Sequence, residues 1–331
     1  MTLSPVTLAD AEEAHARIRA TVLRTPLVRF PVAGTSARGS DATAHADTDI
    51  LLKLECLQPI GSFKLRGAAN AMAIAGADAL SRGVYTASAG NMAQGVAWCA
   101  RELGVRCQVV VPDHAPRAKT DAIARLGGET IKVPFVEWWQ TLLDHRYPGM
   151  DGVFVHPFAD AGVMAGNGTI ALEIFADVRD VDVVLVPYGG GGLACGVASV
   201  TRALSPRTAV YAVEVETAAP LTASLAAGTP TPVTYTRTFI DGMGSGAVSA
   251  EMWPLAQSLL TGTVVVTVEQ VAAAVRLLAE RAHVVAEGAG AAALAAALSG
   301  RFAGKRVVCI VSGGNIDAHR LAVILRGEVP E

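Results

Sequence analysis

Along the chain, short β-rich runs alternate with longer stretches of helical period. From Ile50 onward the runs are ILLKLE (50–55), VYTA (84–87), CQVVV (107–111), TIKV (130–133), VFV (153–155), DVVLV (182–186), AVYAVEV (209–215), TVVVTV (263–268) and KRVVCIV (305–311). Between most of them, at 92–103, 163–176, 193–204 and 268–283, apolar residues recur with a 3.6-residue period. Strand alternating with helix implies crossover connections and parallel sheets, so the fold class is α/β. So many strands predict two sheets in two lobes, with a ligand cleft between them. Upstream, Thr7-Leu8-Ala9-Asp10 resembles a capping box and predicts a first helix that ends before Thr25-Pro26. Residues 34–49, rich in Gly, Ser, Ala and Asp, predict a surface loop. No internal repeat or low-complexity tract interrupts the pattern.

Composition narrows the function classes. The 331 residues suit two domains at ~150 residues each. With 51% hydrophobic and 17% charged residues, the chain fits neither the disordered nor the coiled-coil class. A formal charge of −3 without a basic run argues against nucleic acid as a partner. The longest weakly polar stretch, 288–298, falls short of the ~20 residues of a membrane span, so no membrane partner is expected. The N-terminus lacks a basic region followed by an apolar one, which predicts a cytoplasmic location. Because the chain stops at Glu331 soon after its last motif, no appended regulatory domain is expected. Cys56, Cys99, Cys107, Cys195 and Cys309 are scattered and odd in number, and read as reduced, buried thiols rather than disulfides or metal ligands.

Four motifs could carry chemistry. In Gly61-Ser62-Phe63-Lys64-Leu65-Arg66-Gly67 a lysine sits among Gly, Phe and Leu, where desolvation would lower its pKa and free a nucleophilic amine suited to a Schiff base. In Val186-Pro187-Tyr188-Gly189-Gly190-Gly191-Gly192-Leu193 a strand runs through glycines into a helix, an arrangement that cradles phosphate on backbone N–H groups. A dinucleotide site stays open as the alternative, with Glu214 or Glu216 as its acidic residue, although the spacing is not GxGxxG. Ser88-Ala89-Gly90-Asn91-Met92 opens a helix directly after a strand. Its free N–H groups could hold a carboxylate, or Ser88 or Asn91 could simply cap the helix. Ser312-Gly313-Gly314-Asn315 follows the last strand and presents a hydroxyl where α/β ligands bind.

Taken together, GSFKLRGA, SAGNMAQGVAW, HPFADAGVMAGNGTIALEI, PYGGGGL and VSGGN resemble the fold type II pyridoxal-phosphate enzymes, and within them the threonine/serine dehydratase (threonine ammonia-lyase) and serine racemase group. The likeness runs from about Leu23 to Asn315 with the motifs in family order. It implies a two-lobed, tryptophan synthase β-like α/β fold. Residues 1–82 and 155–331 would form the large cofactor-binding domain and 83–154 a small mobile domain. It further implies pyridoxal 5'-phosphate as cofactor, a homodimer, and β-elimination from a β-hydroxy amino acid such as L-threonine or L-serine, giving a 2-oxo acid and ammonia. Lys64 would hold the cofactor and act as the catalytic base, with Phe63 packed against the ring. Gly189, Gly190, Gly191, Gly192 and Leu193 would bind the phosphate, and Asn91 the phenolic oxygen. Ser312 would face the pyridine nitrogen, a weaker partner than a carboxylate and one that suits elimination better than transamination. Gly242 and Glu287 would line the cofactor pocket. Ser88, Ala89, Gly90, Asn91 and Met92 would hold the substrate carboxylate, with Ser245 near the substrate or in a plain turn.

The chain also departs from that pattern. Ala89 stands where serine racemase carries a second catalytic serine, which disfavours racemisation. Met92 replaces a customary histidine, leaving that wall apolar and the substrate preference open to a bulkier compound such as 3-hydroxyaspartate or phenylserine. The family's Mg²⁺ or Ca²⁺ site is only partly matched, by Glu214 and Ala218, because Pro220 stands where an acidic ligand is expected. Trp138 and Trp139, two of four tryptophans, lie adjacent in a helix-forming stretch. They are expected either to divide between core and surface or to line the cleft mouth. His156 receives no role. A same-fold β-replacement synthase, a nicotinamide-dependent oxidoreductase and a non-catalytic cofactor carrier are the competing functions.

Overall fold

The computed structural model describes residues 3–31 and 48–331. Its strands are β1 (Leu27–Arg29), β2 (Asp49–Lys53), β3 (Val84–Ala87), β4 (Cys107–Pro112), β5 (Glu129–Val133), β6 (Val153–Phe154), β7 (Val183–Pro187), β8 (Ala209–Val215), β9 (Gly262–Val266) and β10 (Arg306–Ile310). One sheet has the order β1-β2-β10-β7-β8-β9 and the other β5-β4-β3-β6. All neighbours are parallel except β1, which pairs antiparallel with β2. The two-sheet α/β architecture is therefore the one expected, and the smaller sheet comes wholly from strands between Val84 and Phe154.

Both faces of the large sheet are covered, which explains why its central strands are apolar along most of their length. On β7, Val183 and Leu185 join one core while Val184 and Val186 join the other. On β10, Val307 and Cys309 likewise separate from Val308 and Ile310. The alanine-rich helix Gly288–Ala297 packs on the first face, and the helices Ala161–Asp177 and Gly192–Leu204 on the second. Small side chains let these helices approach the sheet closely. All five cysteines are buried, and burial pushes the thiols of Cys56, Cys99, Cys107 and Cys195 up to about 12, which keeps them unreactive.

The first helix, Leu8–Ile18, starts with the expected Thr7–Asp10 capping box and ends, as expected, before Thr25-Pro26. Several other boundaries differ from expectation for local reasons. The run TVVVTV stops at Val266 because Thr267 leaves the strand to cap the helix Val268–Leu277, in a capping box with Gln270. That helix does not run to residue 283: a π turn, Leu278–Ala282, closes it at His283, whose φ is 56°. Residues 34–47 of the expected loop lie outside the described residues, and Asp49 already belongs to β2.

Candidate active site

The loops that follow β3, β7 and β10 at their carboxyl ends meet the turn carrying Lys64 around a cleft of about 480 Å³. Lys64 is reached from β2 through a short 3-10 turn, Glu55–Leu57, rather than directly from a strand, so its approach carries no clear strand signal. The turn is tied to the segment after β10: the Phe63 N–H donates to the Ser312 carbonyl at 3.0 Å and the Gly314 N–H to the Gly61 carbonyl at 2.8 Å. Lys64 opens the helix Lys64–Leu80, and its Nζ donates to the Pro157 carbonyl at 2.6 Å. Burial lowers the Lys64 pKa to about 8, against the opposing pull of Glu287. The amine is thus far more often neutral near neutral pH than that of a solvated lysine.

The glycine run is shaped by Phe158. A Cβ on Gly190 would meet the Phe158 ring at 2.2 Å, and one on Gly192 the Phe158 carbonyl at 2.6 Å. Gly191 has φ +91°, a left-handed conformation that favours glycine. No side chain caps the helix Gly192–Leu204 that follows. Its first N–H groups therefore face the cleft without intrahelical acceptors, a site for an anion.

After β3, the helix Asn91–Leu103 is capped by Gly90 and by no side chain, so neither capping alternative for Ser88 or Asn91 holds. The Ser88 hydroxyl instead accepts from the Gly90 N–H at 3.2 Å. The Asn91 amide donates to the Glu287 carboxylate at 2.7 Å and accepts from Asn315 at 2.8 Å. Burial pushes Glu287 up to about 7, although the Asn91 hydrogen bond favours its charged form. Ser312, buried at the end of β10, also lines the cleft, as do Phe63, Ala89, Met92, Leu193, Gly242 and Ser245. The Ser245 hydroxyl donates to the Ala247 carbonyl at 2.7 Å, the arrangement of a local turn.

The partial cation site finds no support among the described residues. Glu214 is committed to the start of the helix Pro220–Ala227: its oxygens accept from the Leu221 N–H at 2.8 Å, the Thr222 N–H at 2.7 Å and the Thr222 hydroxyl at 2.6 Å. These donors and the helix dipole satisfy the carboxyl group where a Mg²⁺ or Ca²⁺ would have to bind, and Ala218 adds no side-chain ligand.

Other contributors were given no role from sequence. His156 accepts on Nδ1 from the Phe158 N–H at 3.2 Å and the Ala159 N–H at 2.7 Å. Burial, with His145 beside it, lowers its pKa to about 3, so it is a neutral strut. It shapes the turn that supplies both the Pro157 carbonyl and the Phe158 bed of the glycine loop. Lys119, on the helix Arg117–Arg125, pairs with Asp241 at 2.7 Å. Residues 18–313 match the profile of the family described as pyridoxal-phosphate dependent enzyme.

The chain belongs to the pyridoxal-phosphate dependent enzyme family. It is 39% identical over 324 residues to an L-threonine ammonia-lyase of Thermotoga maritima, covering 97% of this chain and 78% of that protein. A catabolic L-threonine dehydratase of Staphylococcus aureus is 34% identical over 326 residues, covering 97% and 92% of the two chains. Among solved structures, maize serine racemase superposes with a TM-score of 0.86 at 30% identity, covering 96% of each chain. The site fits the family's cofactor: a glycine loop that Phe158 packs too closely for side chains at Gly190 and Gly192, helix N–H groups for a phosphate, and a desolvated amine for an aldehyde.

The lowered Lys64 pKa sets a pH profile for cofactor uptake. Only the neutral amine attacks an aldehyde, so the rate at which cofactor-free protein takes up pyridoxal phosphate should rise through about pH 8 and then level off. A rate still climbing toward the ordinary lysine value of about 10.4 would show that the cleft does not depress this amine.

Proposed function

We propose that this enzyme is an ammonia-lyase that converts a β-hydroxy amino acid, in the first instance L-threonine or L-serine, to a 2-oxo acid and ammonia. One observation carries the reading: the Lys64 amine, lowered to about 8, lies in the same cleft as the uncapped glycine loop and the uncapped helix Asn91–Leu103. The 39% identity to an L-threonine ammonia-lyase supports the reaction type. Pyridoxal phosphate, when bound, supplies the electron sink that makes the substrate Cα–H acidic.

In this reading each group of the chain has one task. Gly189, Gly190, Gly191, Gly192 and Leu193 bind the phosphate through backbone N–H groups. Asn91, itself held by Glu287 and Asn315, orients the phenolic oxygen. With the cofactor bound, Ser312 would hold the ring nitrogen and Phe63 would pack against the ring; both line the cleft. The N–H groups between Ser88 and Met92 hold the substrate carboxylate, and Lys64 removes the Cα proton. Ala89 offers only a methyl group where a second acid/base would be needed, so proton transfer stays on the Lys64 side and elimination is favoured over racemisation. The two sheets support a large domain of residues 1–82 and 155–331 against a small one of 83–154, with Lys119–Asp241 bridging them.

The test is to supply purified holoenzyme with L-threonine and L-serine and to follow ammonia and 2-oxo acid together. Equal release of the two without any added nucleophile is expected. Consumption of L-serine only when a thiol is present, with no free ammonia, would establish a β-replacement synthase instead.

A further inference from the structure

We propose that the side-chain end of the cleft is built for an aromatic β-substituent, so that the preferred substrates are β-aryl-β-hydroxy amino acids, of which phenylserine is the simplest. The inference rests on the ammonia-lyase reading and refines it. One helix, Phe135–Asp144, supplies the wall: Phe135, Trp138, Trp139 and Leu142 all line the cleft. Their spacing of i, i+3, i+4 and i+7 puts them on a single face of that helix.

The three rings form one slab. Centroids lie 5.5 Å apart for Phe135 and Trp138, 6.5 Å for Phe135 and Trp139, and 6.2 Å for the two tryptophans. Phe135 and Trp139 remain 51% and 40% exposed. Large rings left open to a cleft are uncovered apolar surface of the kind that marks a binding site. The β-methyl of threonine would cover little of that surface, whereas a phenyl ring matches it in size and stacks on it in an offset geometry. Met92 adds to the same cleft an apolar side chain with no charge to offer. The cleft's cations suit an acidic β-substituent less well: Lys119 is paired with Asp241 at 2.7 Å, and Arg237 is exposed to water.

The reaction balances without an oxidant or reductant. Phenylserine loses its Cα proton and its β-hydroxyl as water, and one water then re-enters as nitrogen leaves as ammonia, giving phenylpyruvate.

The holoenzyme is given threo-phenylserine, L-threonine and 3-hydroxyaspartate in parallel, and kcat/KM for ammonia release is measured for each. Phenylserine should exceed threonine by about tenfold or more, the size of effect an apolar pocket gives. That preference should collapse in Trp139→Leu, which is partly exposed and can be replaced without emptying a core, and in Trp138→Leu. Binding supplies a second readout: L-phenylalanine, which lacks the β-hydroxyl and cannot be dehydrated, should quench tryptophan fluorescence and bind about tenfold tighter than L-alanine. Preference for threonine or 3-hydroxyaspartate, or a ratio unchanged in both tryptophan variants, overturns the inference and leaves the ammonia-lyase reading standing. No ammonia from any of the three overturns both.

Discussion

Replacing Lys64 with alanine should lower ammonia release by roughly 10⁴-fold or more, since a positioned base alone contributes about 10²–10⁴ and the same amine also anchors the cofactor. The effect should fall on kcat, because the glycine loop and the helix start at Asn91 do not depend on the lysine side chain. A small primary amine added to the Lys64→Ala protein should restore part of the rate, as it supplies the lost nitrogen but not its position. The same variant should not lose stability at pH 7. A lysine whose folded pKa is lowered from 10.5 to about 8 destabilises the fold most where it is charged in both states, below about 8. That penalty fades as pH rises toward 10.5. Removing the side chain removes the penalty, so thermal midpoints of the cofactor-free proteins should match or favour Lys64→Ala at pH 7 and converge at pH 10. Retention of more than about a tenth of the wild-type rate would remove Lys64 from the catalytic role.

Arg66→Met should cost about 3–5 kcal/mol of stability, the price of stranding buried charges. Arg66 is fully buried, with Glu55, Glu173 and Lys53 around it. Its guanidinium donates to the two Glu55 oxygens, both at 2.8 Å, and to the two Glu173 oxygens at 2.7 and 2.8 Å. Lys53 reaches Glu173 at 2.5 Å, and the Thr25 hydroxyl reaches Glu55 at 2.5 Å. Burial pushes Glu55 upward, but the adjoining guanidinium and Lys53 reverse this and leave its pKa lowered. Two cations thus neutralise two carboxylates, and losing one cation leaves a buried negative charge. Arg106 offers the contrast: its pair with Glu129, at 2.7 Å, is 63% and 56% exposed. Arg106→Met should therefore change stability by less than about 1 kcal/mol. Urea unfolding of both variants is the measurement, and equal midpoints would mean that the buried cluster contributes no more than a surface pair. The cluster also helps to place the lysine, because Arg66 lies two residues after Lys64 and ties that helix to the 3-10 turn Glu55–Leu57 and to the helix Ala161–Asp177.

Much of the fold was legible because its strands are buried on both faces. The runs at 84–87 and 209–215 coincide with β3 and β8, whose mostly buried apolar residues make them legible. β1 was not legible: three residues paired antiparallel at the sheet edge carry no period, and their partner lies more than twenty residues away. The π turn at Leu278–Ala282 was equally hidden, since its residues continue the apolar spacing of the helix before it.

The chain alone determined which residues could serve the chemistry: a lysine among apolar neighbours, a run of four glycines between a strand and a helix, and, through the family resemblance, an alanine where a second acid/base would sit. These are properties of residue type and short spacing, and they survive in any fold that keeps the loops at strand ends. The tertiary structure decided what spacing cannot encode. The Lys64 pKa comes from burial and from Glu287, more than two hundred residues away. The Pro157 carbonyl, the His156 strut and the commitment of Glu214 to a helix start depend on backbone groups that carry no sequence signature. The aromatic wall became a wall only when one helix turned Phe135, Trp138 and Trp139 toward the cleft that also holds Lys64. Electrostatics and shape at a site depend on distances in space, and only the folded chain sets those distances.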